Sequence, residues 1–159
     1  MGIEIERKFL VDTARWHADP EQGRRYRQGY LFAQPDAAVR VRVAGDEAWL
    51  TIKGAVRGIE RLEFEYAIPR ADADAMLAAF CRGPLIEKIR YRVPFAGRTW
   101  EVDVFEGDNA GLVLAEVELP SADDAPDLPP WAGREVSDDP RYYNANLARH
   151  PYREWRDGA

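Results

Sequence analysis

The sequence contains very little cysteine, histidine or excess positive charge. Its 159 residues include one cysteine and two histidines, and the formal net charge is −6. The single Cys81 excludes an intrachain disulfide, and His17 and His150 are too far apart in the chain to indicate a Cys/His zinc cluster. A net acidic chain also disfavours general binding to a nucleic-acid backbone, because such binding needs a basic surface.

Long apolar runs are missing as well. No apolar segment approaches the roughly 20 residues that span a bilayer, and the N-terminus begins directly with a strand pattern. We therefore expect a cytoplasmic protein without a membrane partner. Gly54–Gly58 lacks the Lys-Ser/Thr pair of a P-loop, and serine is too scarce to indicate a Ser-His-Asp site. With 46% hydrophobic and 31% charged residues, the composition is typical of one globular domain over residues 1–159.

Charged and apolar side chains alternate along one segment after another. In Glu4-Ile5-Glu6-Arg7-Lys8, two glutamates and a lysine share one face of a strand, because successive side chains in a strand point to opposite faces. The alternation returns in later segments as doublets of one charge sign. These doublets are Arg40 and Arg42, Glu63 and Glu65, Lys88 and Arg90, Glu101 and Asp103, and Glu116 and Glu118.

Two arrangements explain strands that have one ionic and one apolar face. An ordinary antiparallel sheet would turn the ionic faces to solvent. A barrel would turn them inward and leave the apolar faces to be covered by helices, loops or a partner subunit. Recurrence favours the barrel, because like-charged doublets repel each other unless opposite charge lies between them. Closure of about eight strands into a barrel also removes exposed edges.

The order of segments predicts a mainly β (α+β) fold, a closed antiparallel eight-stranded β-barrel with one mid-chain helix and one C-terminal helix. The Ala-rich segment 69–80 predicts the first helix, and segment 142–150 predicts the second. Segment 121–130 is expected to be a mobile loop or weak helix fastened by Trp131, Val136 and Tyr142. Strands are expected over 2–11, 24–32, 38–43, 47–53, 59–68, 85–94, 99–105 and 112–119.

In the barrel interpretation the ionic faces converge on one cavity. Burying so many charges in a dry interior would cost more than their pairing recovers, so the cavity must hold water or a ligand. Guanidinium and ammonium groups bind phosphate oxygens, and carboxylates bind hard cations such as Mg²⁺ or Mn²⁺. A phosphate-rich ligand with its metal needs both kinds of group. The inward basic residues would be Lys8, Arg40, Arg42, Lys53, Lys88 and Arg90, with Arg27 and Arg61 as further candidates. The inward acidic residues would be Glu4, Glu6, Glu63, Glu65, Asp103, Glu116 and Glu118, with Glu101 as a further candidate.

The segment Glu4-Ile5-Glu6-Arg7-Lys8-Phe9-Leu10 closely resembles the ExExK signature of the CYTH superfamily, the triphosphate tunnel metalloenzymes. The resemblance covers almost the whole chain, through Gln28-Gly29-Tyr30, Arg40-Val41-Arg42, Glu87-Lys88-Ile89-Arg90 and Glu116-Val117-Glu118. It implies an eight-stranded tunnel that binds triphosphate groups with a divalent metal. It further implies metal ligation by Glu4, Glu6, Asp103, Glu116 and Glu118, phosphate binding by Lys8, Arg40, Arg42, Lys53, Lys88 and Arg90, and catalytic roles for Lys88, Tyr30 and Glu6.

The motifs look most like those of the short bacterial tripolyphosphatases, which implies hydrolysis of inorganic triphosphate. A nucleoside or thiamine triphosphatase or an adenylate cyclase is a second hypothesis, and a non-catalytic polyphosphate-binding module is a third. An apolar barrel exterior favours a homodimer. Segment 139–144 resembles the helix that plugs one tunnel end in this family, and a ligand role for Arg141 within it is left open.

Overall fold

The computed structural model describes residues 2–81 and 83–156. About half of these residues are in strands, with one α-helix between the fifth and sixth strands and a second, shorter one after the ninth. The strands are β1 Gly2–Val11, β2 Gly23–Gln34, β3 Ala37–Ala44, β4 Glu47–Gly54, β5 Glu60–Ile68, β6 Ile86–Phe95, β7 Arg98–Phe105, β8 Val113–Glu118 and β9 Ala132–Glu135. The helices are α1 Arg70–Phe80 and α2 Asn144–Leu147, and 3₁₀ turns lie at Pro20–Gln22, Gly107–Asn109, Pro140–Tyr142 and Tyr152–Glu154.

The first eight strands form a closed antiparallel barrel, as predicted. Their order is β5-β4-β3-β2-β6-β7-β8-β1, and β1 also pairs with β5 to close the ring. Ile3 lies opposite Leu62 in the β1–β5 pairing, and Glu6 lies opposite Glu118 in the β1–β8 pairing. Closure leaves each of these eight strands with a partner on both sides.

A ninth strand, β9, was not predicted from the sequence. It pairs with the C-terminal end of β1, where Phe9 lies opposite Glu135. Only four residues long, it has little hydrophobic alternation to reveal it. Segment 121–130 before it contains turns and no helix, while Trp131 and Val136 are buried as expected.

Helix α1 covers the outer face of β3, β2 and β4. Ala73 and Leu77 on the helix are buried against Val41 and Val43. Beyond the helix end, Cys81 is partly exposed and packs against the same cluster, and burial raises the pKa of its thiol. A Cβ at Gly29 of β2 would lie 2.8 Å from the Cys81 Sγ, so the close approach of this segment to the barrel requires glycine there.

The predicted helix over 142–150 is present but much shorter, and it is interrupted at its start. A 3₁₀ turn ends at Tyr142, Tyr143 is extended with ψ 134°, and only Asn144–Leu147 is α-helical. The break has a physical reason. Tyr142 packs into an apolar cluster, whereas Tyr143 lines the barrel cavity. In a continuous helix the directions of these neighbouring side chains would differ by only about 100°, so the helix is broken between them.

Three apolar clusters hold the barrel. One lies outside β1, β7 and β8, where the Trp100 ring is 5.6 Å from Phe9 and 5.7 Å from Trp131, measured between ring centroids. A second lies beneath α1. The third closes one end of the barrel, because inward positions near that end are apolar and the C-terminal segment packs on them. Its members are Ile86, Phe105, Leu112, Leu114, Val136, Tyr142, Leu147 and Trp155. No helix among the described residues is long and apolar enough to cross a membrane.

Candidate active site

The charged faces of the strands point into the barrel, where they surround a cavity of about 900 Å³. Its size lies within the range of small-molecule sites. Tyr30 also lines it, whereas Arg27 lies outside and pairs with Glu87. The basic lining residues proposed from the sequence are Lys8, Arg40, Arg42, Lys53, Arg61, Lys88 and Arg90. The acidic ones are Glu4, Glu6, Glu63, Glu65, Glu101, Glu116 and Glu118.

Strands β3 and β6 carry most of these cations, and we call Arg40, Arg42, Lys88 and Arg90 the basic wall. Tyr26 organises it, because its ring lies 4.7 Å from the Arg42 guanidinium carbon and 5.0 Å from that of Arg90. Stacking on an aromatic face compensates part of the cost of bringing two guanidinium groups together. Burial and the neighbouring Arg40 and Arg90 lower the pKa of Arg42 to about 9.

Asp103 lies immediately behind the basic wall. Its two carboxylate oxygens accept hydrogen bonds from Arg90 Nε at 2.7 Å and from an Arg90 terminal nitrogen at 2.9 Å, and Lys88 Nζ lies 2.7 Å from Oδ2. Burial opposes its ionisation, but Arg90 and Lys88 outweigh that effect and lower the pKa of Asp103. Both oxygens are therefore engaged with cations of the wall.

Lys88 is the most deeply buried cation, with 1% of its surface exposed. It contacts Asp103 and donates a hydrogen bond to Asn144 Oδ1 at 3.0 Å. Burial lowers the pKa of Lys88 to about 7, although Asp103 acts in the opposite direction, and Arg90 and Arg42 add to the lowering. The ammonium group is thus held in place by two acceptors at a costly position.

Arg40 has one nitrogen unsatisfied by the protein. A terminal nitrogen donates to Thr51 Oγ1 at 3.2 Å and lies 3.5 Å from a Glu65 oxygen, and Thr51 in turn donates to Glu65 at 2.8 Å. The Arg40 Nε is buried, and among the described residues it has no hydrogen-bond partner. A buried donor without an acceptor is costly, so this atom is suited to a ligand oxygen.

The opposite side of the cavity carries carboxylates that face each other. We call Glu4, Glu6, Glu63, Glu116 and Glu118 the acidic wall, which comes from β1, β5 and β8. Burial, then the charges of Glu116 and Glu4, raise the pKa of Glu6 well above its usual range. Burial and the same kind of repulsion raise the pKa of Glu63 and of Glu118.

Two lysines relieve part of this repulsion. Lys53 Nζ lies 3.1 Å from an oxygen of Glu4 and 3.1 Å from an oxygen of Glu63. Lys8 Nζ lies 3.6 Å from Glu116. Burial opposes the ionisation of Glu116, but Lys8 and Arg90 outweigh it and lower its pKa to about 2.

The acidic wall fits a hard divalent cation by its chemistry. Its donors are all carboxylate oxygens, which Mg²⁺ and Mn²⁺ prefer, and a cation would offset the burial and the repulsion from Glu116 and Glu4 that raise the pKa of Glu6. Within residues 2–81 and 83–156, no three of these side chains are already arranged as a metal-binding cluster. Lys53 and Lys8 already contact three of these carboxylates.

Several residues of the site were not predicted from the sequence. Tyr26 and Gln28 share the inward face of β2 with Tyr30, so parity along that strand could have identified them. Thr51 lies two residues before Lys53 on β4, so strand parity could have identified it as well. Strand parity could not have identified Asn144, because it begins the short helix α2, and only the folded chain shows where that helix lies.

Arg141 lies away from the main cavity. It pairs with Asp139 at 2.8 Å, and its guanidinium lies 4.8 Å from the centre of the Trp155 ring. It lines a smaller adjoining cavity of about 310 Å³ together with Arg149 and His150. The structure therefore does not bring Arg141 to the two charged walls.

Known proteins resemble this chain in sequence over nearly its whole length. An inorganic triphosphatase from Acetivibrio thermocellus is 49% identical over 157 residues, which cover 99% of this chain and 100% of that protein. An inorganic triphosphatase from Nitrosomonas europaea is 41% identical over 153 residues, covering 91% of this chain and 96% of that protein.

Solved structures share the fold. A crystal structure of an inorganic triphosphatase matches with a TM-score of 0.65 at 38% identity and covers 91% of this chain and 97% of that chain. A putative adenylate cyclase from Bacillus halodurans matches with a TM-score of 0.61 at 18% identity, which supports the fold alone. The family model of the CYTH domain matches residues 2–152. With a charged tunnel inside a closed eight-stranded barrel, this chain belongs to the CYTH family.

Proposed function

We propose that this protein hydrolyses inorganic triphosphate to pyrophosphate and phosphate, with Mg²⁺ or Mn²⁺ as its cofactor. The observation that carries the proposal is the pairing of a basic and an acidic wall across one cavity of about 900 Å³. A polyanion and its metal ion together need both walls. The names of the two curated relatives support the choice of inorganic triphosphate among phosphate compounds.

The basic wall would bind the phosphate chain. Guanidinium groups match pairs of phosphate oxygens, and the unsatisfied Arg40 Nε would gain an acceptor from such an oxygen. Tyr26 and Asp103 hold Arg42 and Arg90 before any ligand arrives, so binding costs little side-chain entropy. The proposed phosphate-binding residues are Lys8, Arg40, Arg42, Lys53, Lys88 and Arg90.

The acidic wall would hold the metal through Glu4, Glu6, Glu116 and Glu118, with Glu63 beside them. When bound, a divalent cation would neutralise phosphate charge and polarise the phosphoryl group. We assign Asp103 a positioning role instead of metal ligation, because its oxygens already accept from Arg90 and Lys88. Glu65 is placed to orient Arg40 through Thr51 and can also contribute to the metal side.

Lys88 and Tyr30 are proposed to act next to the reacting phosphoryl group, and Glu6 to be required for turnover. Lys88 brings an ammonium group whose position is fixed by Asp103 and Asn144, so it can stabilise developing charge without reorganising. Tyr30 lines the same cavity and lies opposite Arg40 in the β2–β3 register, which supports a role for its hydroxyl group near the bound phosphates.

A panel of substrates and metals tests this function. Phosphate release would be measured from inorganic triphosphate, ATP and thiamine triphosphate, each with Mg²⁺, Mn²⁺, Ca²⁺ or no added metal. We expect inorganic triphosphate to have the highest kcat/KM and turnover to need Mg²⁺ or Mn²⁺. Higher kcat/KM for ATP or thiamine triphosphate, or formation of cyclic AMP, would replace the proposal with the corresponding activity. Tight triphosphate binding without turnover would indicate a non-catalytic module.

We also propose that the protein is a homodimer, in which a second copy covers an apolar patch on the barrel exterior. In register, Ile3 adjoins Leu62 and Ile52 adjoins Phe64, so the exposed side chains are contiguous. Their exposed apolar area, on the order of 600 Å², is large for a monomer and approaches the roughly 800 Å² per partner of a stable interface. The patch comprises Ile3, Phe32, Ile52, Leu62, Phe64 and Tyr66.

Light scattering after gel filtration tests the dimer. Phe64→Asp should give a monomer that keeps its turnover, because this side chain points away from the cavity. Phe80→Asp, at an exposed aromatic position outside the patch, is the control and should remain dimeric. A wild-type protein that elutes as a monomer at tens of micromolar would contradict this arrangement.

The remaining expectations follow from composition. We propose that residues 1–159 act as one domain and that the protein is cytoplasmic, since its single cysteine suits a reducing compartment. With a net charge of −6, general nucleic-acid binding is not expected, and filter binding of duplex DNA at low salt would test this.

A further inference from the structure

The C-terminal segment contributes one polar side chain to a buried network behind the basic wall. Asn144, the first residue of α2, lines the cavity, and its Oδ1 accepts from Lys88 Nζ at 3.0 Å and from Gln28 Nε2 at 3.2 Å. Both donors are almost completely buried, with 1% and 0% of their surfaces exposed. The network therefore joins a segment beyond the barrel to two residues inside it.

The direction of every hydrogen bond in this network follows from chemistry. Arg42 can only donate, so the Gln28 oxygen that lies 2.8 Å from Arg42 Nε must accept. The Gln28 amide nitrogen then points to position 144. The Lys88 ammonium group likewise can only donate. Position 144 must therefore supply an acceptor, and its carbonyl oxygen receives both hydrogen bonds.

Docking of the segment does not depend on this amide. Tyr142, Leu147 and Trp155 fasten the segment to the barrel end through buried apolar surface. Removal of the amide should consequently leave the segment in place and affect only the polar network. A role in docking and a role in positioning can thus be separated by mutation.

We propose that Asn144 is a positioning residue, whose carbonyl oxygen sets the place of the Lys88 ammonium group and, through Gln28, of the Arg42 guanidinium group. The C-terminal segment then completes the site as well as closing the barrel. Without Asn144, Lys88 keeps its contact with Asp103 but loses the acceptor that holds it from the other direction. This inference rests on the proposed function for its kinetic consequence only.

Kinetics on the full chain with inorganic triphosphate and Mg²⁺ test the proposal. Asn144→Ala should lower kcat about 10- to 100-fold, the range seen when a supporting side chain is removed, with a KM change of less than about threefold. The control is Asn146→Ala, which removes a hydrogen bond to Pro140 O at 2.7 Å within the same segment and should keep kcat within about twofold. If Asn144→Ala does not fold, Asn144→Leu gives the same test with the volume retained.

A second readout does not need turnover. Proton–nitrogen correlation NMR at pH 6 detects lysine ammonium groups that hydrogen bonds protect from exchange, and Lys88→Met identifies the Lys88 signal. The signal should broaden or vanish in Asn144→Ala and persist in Asn144→Asp, which keeps an acceptor oxygen. An unchanged signal in the alanine variant overturns the proposal, as does equal loss of kcat in the Asn146 control. If the wild type releases no phosphate from triphosphate, the proposed function fails while the NMR result still decides the role of Asn144.

Discussion

The two walls of the tunnel carry opposite charge, and they are organised in opposite ways. On the basic wall, Tyr26 separates two guanidinium groups and Asp103 binds both Arg90 and Lys88. On the acidic wall, carboxylates face carboxylates, so that burial and mutual repulsion raise the pKa of Glu6. The basic wall is thus preorganised by protein partners, whereas the acidic wall retains repulsion that a cation can relieve.

This difference indicates a division of labour. A preorganised wall binds a polyanion with little rearrangement, and it needs internal partners because buried cations repel each other. A wall with excess negative charge gains stability when a divalent cation binds. Mutations in the acidic wall should therefore change the metal requirement, and mutations in the basic wall should change kcat or KM for the substrate.

Metal removal is the largest expected perturbation of the acidic wall. Chelation with EDTA should reduce phosphate release to background, and Glu6→Ala should abolish turnover at Mg²⁺ concentrations that saturate the wild type. Raised Mg²⁺ should partly restore Glu6→Gln, which keeps an oxygen donor. Full activity in EDTA would contradict a role of the acidic wall in metal binding. The same would follow if Glu6→Gln needed no more Mg²⁺ than the wild type.

Lys88→Ala should have the largest effect on the basic wall. We expect kcat to fall about 10²- to 10⁴-fold, because a positioned group next to the reacting atoms is lost. The melting temperature should not fall much, because the ammonium group is costly to bury and Asp103 keeps both hydrogen bonds from Arg90. Arg27→Ala, on the same sheet but outside the tunnel, is the control and should keep wild-type kinetics. Retained activity in both Lys88→Ala and Glu6→Ala would count heavily against a hydrolase.

Arg40→Ala should have a smaller effect, mainly on substrate binding. Loss of a charge-assisted hydrogen bond of about 1.5–3 kcal/mol corresponds to a rise in KM of about 10- to 100-fold. The Mg²⁺ requirement should stay the same, since Arg40 belongs to the other wall. Arg40→Lys keeps the charge without the planar fork and should be intermediate. A changed metal requirement with an unchanged KM would show that the walls are not separate in function.

Mutation of an ion pair outside the tunnel should have the smallest effect, and it provides a comparison for the buried ion pairs. Arg7 donates to Glu135 at 2.9 Å and 2.7 Å, joining β1 to β9, and these hydrogen bonds lower the pKa of Glu135. Because its pKa is lowered in the folded state, its stabilisation is fully present above the unfolded pKa near 4.5 and is lost as the pH falls through the lower pKa of the folded state.

Glu135→Gln should accordingly lower the free energy of unfolding at pH 7 by no more than about 1 kcal/mol, since both side chains are partly exposed. Thermal melts at pH 7 and pH 3.5 would measure this, and the difference from wild type should shrink at the lower pH. Catalysis should be unchanged. A loss as large at pH 3.5 as at pH 7 would mean that β9 depends on packing around position 135 rather than on its charge.

Strand parity explains why so much of the site was predictable. Alternation is fixed by the backbone, so Glu4, Glu6 and Lys8 had to share a face wherever the strand lay. Alternation predicts the face on which a side chain lies, but it does not predict the side chain's partners. Asp103 follows the parity of Glu101 but lies behind Arg90 rather than in the cavity lining, because its neighbours bind both of its oxygens. The face of Asp103 follows from its own strand, but its partners Arg90 and Lys88 come from another strand.

The sequence by itself determined the eight barrel strands and their ionic faces, because both depend on local alternation that repeats along the chain. Only the tertiary structure decided which charges are paired and which face like charges. It also decided that Tyr142 and Tyr143 diverge and that Asn144 reaches Lys88. These features depend on contacts between residues far apart in the chain, and no local pattern encodes their distances.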